Sequence, residues 1–211
     1  MKIIITGTSS GIGKAIKEEL QEFEIIELCR NCPYRIDFND IKAVEKLKFK
    51  DVKGIILNAG VGYFGQFEDI KTFQIKEMIN VNFLSPMILV KNHLKEIKKQ
   101  KGFIITISST SATHPARLGV VYSATKAAMR QFSKSLFEEV RKSRVKVSTI
   151  VPDLTITNFH QKTFFKPSND ELAHLKPKDI AKIVKDIIYL PKHIVIEEII
   201  IKPQLFKLEK N

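Results

Sequence analysis

The chain has 211 residues, 44% of them apolar and 27% charged, which is enough for one domain with a substantial core. Its formal charge is +12, but the 29 lysines and 6 arginines are spread along the whole chain without interleaved aromatics, which argues against a nucleic-acid surface. No apolar run approaches the roughly 20 residues of a membrane helix, and the apolar stretch of the opening MKIIITGTSSG is too short for a signal peptide; two cysteines give no disulfide framework, so a reducing cytoplasm and no membrane partner are expected.

Apolar runs that read as buried strands fall at residues 2–6, 24–28, 54–58, 102–107, 145–150 and 194–201. A short edge strand is expected near Tyr34-Arg35-Ile36. Helical periodicity occupies 12–22, 39–48, 72–100, 120–143 and 177–189, and Gly102 reads as a helix C-cap after the basic run Lys98-Lys99-Gln-Lys101. Strands alternating with helices predict an α/β fold over residues 1–211. It is a doubly wound parallel sheet with helices on both faces and right-handed crossovers. Residues 152–176, with three phenylalanines and two prolines, read as an irregular flap over a site.

Chemistry is legible along the same path. Strand one runs into Gly7-Thr-Ser-Ser-Gly11-Ile-Gly13, a turn whose glycines let backbone approach a pyrophosphate at a helix N-terminus. Ser9, Ser10 and Ile12 belong to that turn. It is no P-loop, because Gly13-Lys14 is followed by Ala15 and Thr8 stands where the first loop glycine belongs. Strand two ends in Leu28-Cys29-Arg30, where an acidic residue would bind a ribose 2′-hydroxyl; its absence and the arginine favour NADP(H) over NAD(H). Asp37 can cap a turn or meet an adenine amine. Cys29 and Cys32 are one C-x-x-C pair without a second, so they make neither a metal site nor a disulfide framework and read as incidental. The five histidines have no ligand spacing, and no metal is expected. Asn58-Ala59-Gly60 follows a strand and lies at its ligand-facing end. Tyr122 and Lys126, four apart on a helix, share one face, with Ser109 thirteen residues upstream. An ammonium near a phenol lowers its pKa from about 10, so that it can exchange a proton with an alcohol or carbonyl oxygen.

Together these residues resemble the short-chain dehydrogenase/reductase family across essentially the whole chain, as a compact member. The family's T-G-x-x-x-G-I-G matches Thr6 to Gly13, its N-A-G matches Asn58 to Gly60, and its Y-x-x-x-K matches Tyr122 and Lys126. Its helix asparagine matches Asn82 in NVNFLSP and its serine Ser109 in ISST, with Asn80, Ser108 and Ser111 as competitors. The resemblance implies a Rossmann-like fold and an NADP(H)-dependent oxidoreductase, with NAD(H) possible, that interconverts a small-molecule carbonyl and alcohol. It implies Tyr122 as general acid/base and Lys126 as its tuner and a ligand of the nicotinamide ribose. Ser109 would then be a donor to the substrate oxygen, and Asn82 the holder of backbone and a water beside Lys126.

The family's Pro-Gly is Pro152-Asp153 here, a departure, and Thr155 and Thr157 are candidate contacts of the nicotinamide amide. Phe159, Phe164 and Phe165 form a lid or pack the flap. A homo-oligomer, dimer or tetramer, is implied, with Met78, Leu84, Met87, Val90, Met129 and Phe132 available to an interface or to the core. Rival readings on the same scaffold are a dinucleotide-sensing regulator without turnover and an isomerase or dehydratase.

Overall fold

Three consecutive isoleucines open the fold: Ile3, Ile4 and Ile5 of β1 (Lys2–Thr6) are wholly buried. Strand geometry turns Ile4 to one face of the sheet and Ile3 and Ile5 to the other, so this strand needs cover on both sides. The computed structural model describes residues 1–159 and 165–210. Its strands are β1, β2 (Glu24–Cys29), β3 (Tyr34–Arg35), β4 (Val52–Leu57), β5 (Phe103–Ile107), β6 (Lys146–Pro152), β7 (Phe165–Pro167), β8 (Glu198–Ile201) and β9 (Leu208–Lys210). Its α-helices are α1 (Gly11–Glu19), α2 (Ile41–Glu45), α3 (Thr72–Ile79), α4 (Ser85–Gln100), α5 (Val120–Val140) and α6 (Pro177–Tyr189).

Seven strands form one parallel sheet in the order β3-β2-β1-β4-β5-β6-β8. On one face, Ile16 of α1, Leu20 just after it, and Ile180 and Val184 of α6 pack on Ile3, Ile5, Ile56 and Ile105. On the other, Val44 of α2, Leu89 and Ile97 of α4, and Met129 and Leu136 of α5 pack on Ile4, Leu28 and Ile55. The order changes direction between β1 and β4, which opens a crevice at the C-terminal strand ends.

Several expectations are corrected. The helical stretch at 72–100 is interrupted by a wide π turn over Asn80–Leu84, where Ser85 N–H donates to the Asn80 carbonyl. Pro86 lacks the N–H that would have met the carbonyl of residue 82, so the chain widens there. The last sheet strand begins at Glu198, not at 194. The flap is not wholly irregular, because β7 pairs antiparallel with β9 in a small ribbon.

Gly102 is not the left-handed cap, a role taken by Lys101 at φ 48°. Glycine is required at 102 because a Cβ would stand 1.7 Å from the Lys53 carbonyl oxygen. Cys29 and Cys32 are joined as a disulfide, not left as incidental thiols; the tight turn after β2 brings their Cα atoms to 5.2 Å. Met78, Val90 and Met129 are core residues and so are unavailable to an interface. Among the described residues no helix is long and apolar enough to cross a membrane, and no cluster of His, Cys, Asp and Glu could hold a metal ion.

Candidate active site

A cleft of about 770 Å³ lies over the C-terminal ends of β1, β2, β4, β5 and β6. Its floor begins at the glycine turn. Gly7 and Gly11 have φ of 74° and 56°, in the region that disfavours a side chain. At Gly13 a Cβ would sit 2.2 Å from the Gly7 carbonyl oxygen, so only glycine lets the helix start this close to the strand. The turn is braced from β4: Thr6 Oγ1 accepts from the N–H groups of Asn58 and Ala59, both at 2.9 Å. The Asn58 amide in turn donates to the carbonyls of Thr6 (3.1 Å) and Gly7 (3.2 Å). Asn58 thus acts on the cleft through the turn that it holds. Ser10, at the N-cap of α1, makes no side-chain cap, which leaves the first-turn N–H groups to an anion.

At the β2 end, Cys29, Arg30 and Asp37 line the cleft. Arg30 is exposed and makes no ion pair among the described residues. Asp37 caps a local turn, accepting from Asn39 N–H at 2.9 Å.

The opposite end is built on α5. Tyr122 and Lys126 are both buried on the helix face that meets β5. The Lys126 ammonium donates to the Ile107 carbonyl at 3.0 Å and lies 5.8 Å from the centre of the Tyr122 ring. The Ser109 hydroxyl faces the Tyr122 phenol and favours its ionised form. Burial pushes that phenol up to about 12, and the nearby Ser109 hydroxyl recovers only part of the rise. Burial also pulls Lys126 down to about 8. The expected depression of Tyr122 by Lys126 is therefore overturned. Desolvation dominates, and the ammonium is bonded to a backbone carbonyl beneath the ring.

Asn82 does not line the cleft. From the π turn its amide brackets Val61, accepting from Val61 N–H and donating to Val61 O, both at 2.8 Å, and it also donates to Thr125 Oγ1 at 3.1 Å. It thereby locks the loop after β4 to the helix turn that carries Lys126. Of the competing residues, Ser108 donates to the Lys126 carbonyl at 3.2 Å, and Asn80 donates to Asn39 Oδ1 at 2.9 Å. Ser111 offers its backbone N–H to Ser109 Oγ at 3.2 Å.

Pro152, Thr155 and Thr157 reach the cleft from the start of the flap. The Thr155 hydroxyl is committed to the Asp153 carbonyl at 2.8 Å, whereas the Thr157 side chain lies against Gly11. Asp153, the departure from Pro-Gly, accepts from Thr110 Oγ1 at 3.0 Å and so ties the flap to the Ser109 turn. Phe159 stacks at a tilt on Tyr122 with ring centres 5.5 Å apart. Phe64 joins both, at 5.3 Å from Tyr122 and 6.2 Å from Phe159. Phe64 went unnoticed in the sequence; its signal was Gly62-Tyr-Phe-Gly65, one residue beyond Asn58-Ala59-Gly60. His160 and Phe164 lie outside the described residues. Gly13 packs behind the turn instead of lining the cleft, while Gly7, Ser9, Ser10, Gly11, Ile12, Asn58, Ala59, Gly60, Ser109, Tyr122 and Lys126 all line it.

Residues 37–167 match the family described as short chain dehydrogenase. The chain belongs to the short-chain dehydrogenase family and is an oxidoreductase of the dehydrogenase/reductase class. It is 27% identical to an uncharacterised oxidoreductase of Staphylococcus epidermidis over 95% of this chain and 96% of that one. It is 28% identical to the uncharacterised oxidoreductase YmfI of Bacillus subtilis over 80% and 79% of the two chains. Among solved structures it resembles an alcohol dehydrogenase of the archaeon Thermococcus sibiricus complexed with 5-hydroxy-NADP, at TM-score 0.86, 25% identity and 96% coverage of each chain.

Proposed function

We propose that this chain is an NADP(H)-dependent oxidoreductase that interconverts a carbonyl and an alcohol, with Tyr122 as the general acid/base. The observation that carries this reading is the convergence of Ser109, Tyr122 and the buried Lys126 in the same cleft that the glycine turn opens into. The T. sibiricus structure with a bound NADP derivative supports the choice of cofactor class.

The residues present fit such a group. The uncapped start of α1 accepts a pyrophosphate at Gly7, Ser9, Ser10, Gly11 and Ile12, with Gly13 allowing the close helix–strand contact behind them. Arg30 meets a 2′-phosphate and Asp37 an adenine edge. Asn58, Ala59 and Gly60 support the middle of the cleft. Tyr122, Lys126, Pro152, Thr155 and Thr157 surround the nicotinamide end. A bound nicotinamide supplies or accepts the hydride.

The protein's own part is proton handling and position. At neutral pH the phenol of Tyr122 holds its proton, the form needed to protonate a carbonyl oxygen during reduction. Ser109 donates a second hydrogen bond to that oxygen, where negative charge develops. Lys126 remains an ammonium below about pH 8 and stabilises charge at the base of the site. Asn82 keeps the loop and helix in register around it. Phe64 and Phe159 give the substrate an apolar wall over Tyr122.

The test is titration with NADPH and NADH followed by nucleotide oxidation against a carbonyl panel, repeated with Tyr122→Phe. We expect NADPH to bind and be consumed by at least one carbonyl. In the variant, kcat should fall by about 10²–10⁴-fold with nucleotide Kd nearly unchanged. Substantial turnover in Tyr122→Phe would refute the mechanism.

A further inference from the structure

We propose that Cys29 and Cys32 form a thiol–disulfide modification site that sets the cleft's affinity for a 2′-phosphorylated dinucleotide, by fixing or releasing the turn that carries Arg30. It rests on the cofactor reading given above. The bond closes a four-residue ring at the end of β2 with exposed Arg30 and Asn31 at its apex. Both ends of the ring are anchored. The Cys29 carbonyl accepts from Ile36 N–H at 3.1 Å, beside the β2–β3 pairing of Cys29 with Arg35. Cys32 Sγ lies 3.0 Å from Thr8 Oγ1, a buried contact inside the glycine turn. The residue before the ring, Leu28, accepts from Gly7 N–H at 2.8 Å. The covalent link closes the turn that carries Arg30, and the Cys32–Thr8 and Leu28–Gly7 contacts join that turn to the one that would hold the pyrophosphate.

Arg30 makes no ion pair among the described residues, so its direction depends on the backbone beneath it. A guanidinium held in place before binding loses less freedom when it meets a phosphate. Opening the ring returns that freedom to the apex, and phosphate affinity should fall. NADH, which lacks the 2′-phosphate, should be nearly indifferent.

Access is through the cleft itself, because Cys29 lines it while Cys32 is turned towards Thr8. A thiolate of a dithiol reductant attacks the Cys29 sulfur and displaces the Cys32 thiolate. The reductant's second thiolate then displaces Cys29 and leaves as a cyclic disulfide. Two electrons and two protons pass to the protein, which ends as two thiols. An oxidised low-molecular-weight thiol such as glutathione disulfide reverses the step and is itself reduced to two thiols. Bound dinucleotide should shield the pair.

The experiment titrates NADPH and NADH into the wild-type protein in its oxidised and dithiothreitol-reduced forms, each verified by the mass added on alkylation, and into the double variant Cys29→Ser/Cys32→Ser. We expect the NADPH Kd to rise about three- to tenfold on reduction, with NADH changed less than about twofold. The double variant should match the reduced protein under both conditions, and saturating NADPH should slow reduction. Equal NADPH affinity in both verified states overturns the proposal, as does failure of glutathione disulfide to re-form the bond. If neither nucleotide binds in either state, the cofactor reading itself falls; if both bind without regard to redox state, only the switch does. Should the double variant not fold, the wild-type pair of states still decides the question.

Discussion

Lys126 is buried, and among the described residues its ammonium has only a backbone carbonyl as hydrogen-bond partner, an arrangement that works against the fold. Its folded-state pKa of about 8 lies below the ordinary 10.5, so the unfolded chain binds that proton more tightly. The resulting penalty, on the order of 3 kcal/mol, is complete below about pH 8 and vanishes as pH rises to about 10.5. Lys126→Met should therefore be more stable than wild type at pH 7 by about 2–3 kcal/mol, read by urea unfolding, yet inactive. The gain should disappear near pH 10.5, and equal stabilities at pH 7 would show that the burial penalty is offset elsewhere. Tyr122 has the opposite sign: its folded-state pKa of about 12 adds stability up to about pH 10 that is lost as pH rises through 12. Arg30 makes a separate prediction. If Arg30 meets a 2′-phosphate, Arg30→Asp should move the Kd ratio towards NADH by about tenfold or more, through loss of one charge-assisted bond and gain of one repulsion. An unchanged ratio would exclude Arg30 from 2′-phosphate recognition, and with it the switch built on its turn.

The flap and the Ser109 turn are separate pieces of chain joined by the Asp153–Thr110 bond. If that bond holds Ser109 in place, Asp153→Ala should lower kcat by about three- to tenfold at nearly constant nucleotide Kd. Asp153→Asn, which keeps an accepting oxygen, should restore most of the loss. Wild-type kcat in Asp153→Ala would leave the aspartate with no role in positioning. Such a link shows where sequence reasoning stops. The sheet strands were readable because runs such as Ile3-Ile4-Ile5 and Gly54-Ile55-Ile56-Leu57 must be covered on both faces, and the cleft motifs because their spacing is local. The π turn at Asn80–Leu84 keeps the apolar rhythm of its neighbours, so nothing in the periodicity marks it. The β7–β9 ribbon pairs Phe165–Pro167 with Leu208–Lys210, more than forty positions away, and strands that short leave no alternation to detect. The roles of Thr6 and Asn58 in bracing the turn, and of Phe64 against Tyr122, are contacts between distant segments. The same holds for Tyr122 itself: its neighbours were legible, but its raised pKa comes from burial, which only the packed molecule creates.

The lysine excess also bears on the cleft. A formal charge of +12 surrounds a crevice suited to an anionic dinucleotide, and a field of that sign raises the encounter rate of anions of any structure. NADPH carries about two more negative charges than NADH, so the two cofactors should feel the field unequally. Raising ionic strength from about 10 mM to about 100 mM shortens the screening length from about 30 Å to about 10 Å. Stopped-flow association of NADPH should slow several-fold over that range, with a shallower slope for NADH, while dissociation changes less. Parallel slopes for the two nucleotides would mean that overall charge does not steer binding. Arg30→Asp separates the global field from the local contact, since it alters only two units of charge out of +12. In that variant the salt slope should stay close to wild type while the NADPH to NADH affinity ratio collapses. If slope and ratio fall together, attraction and discrimination reside in the one arginine, and the other lysines act only on solubility.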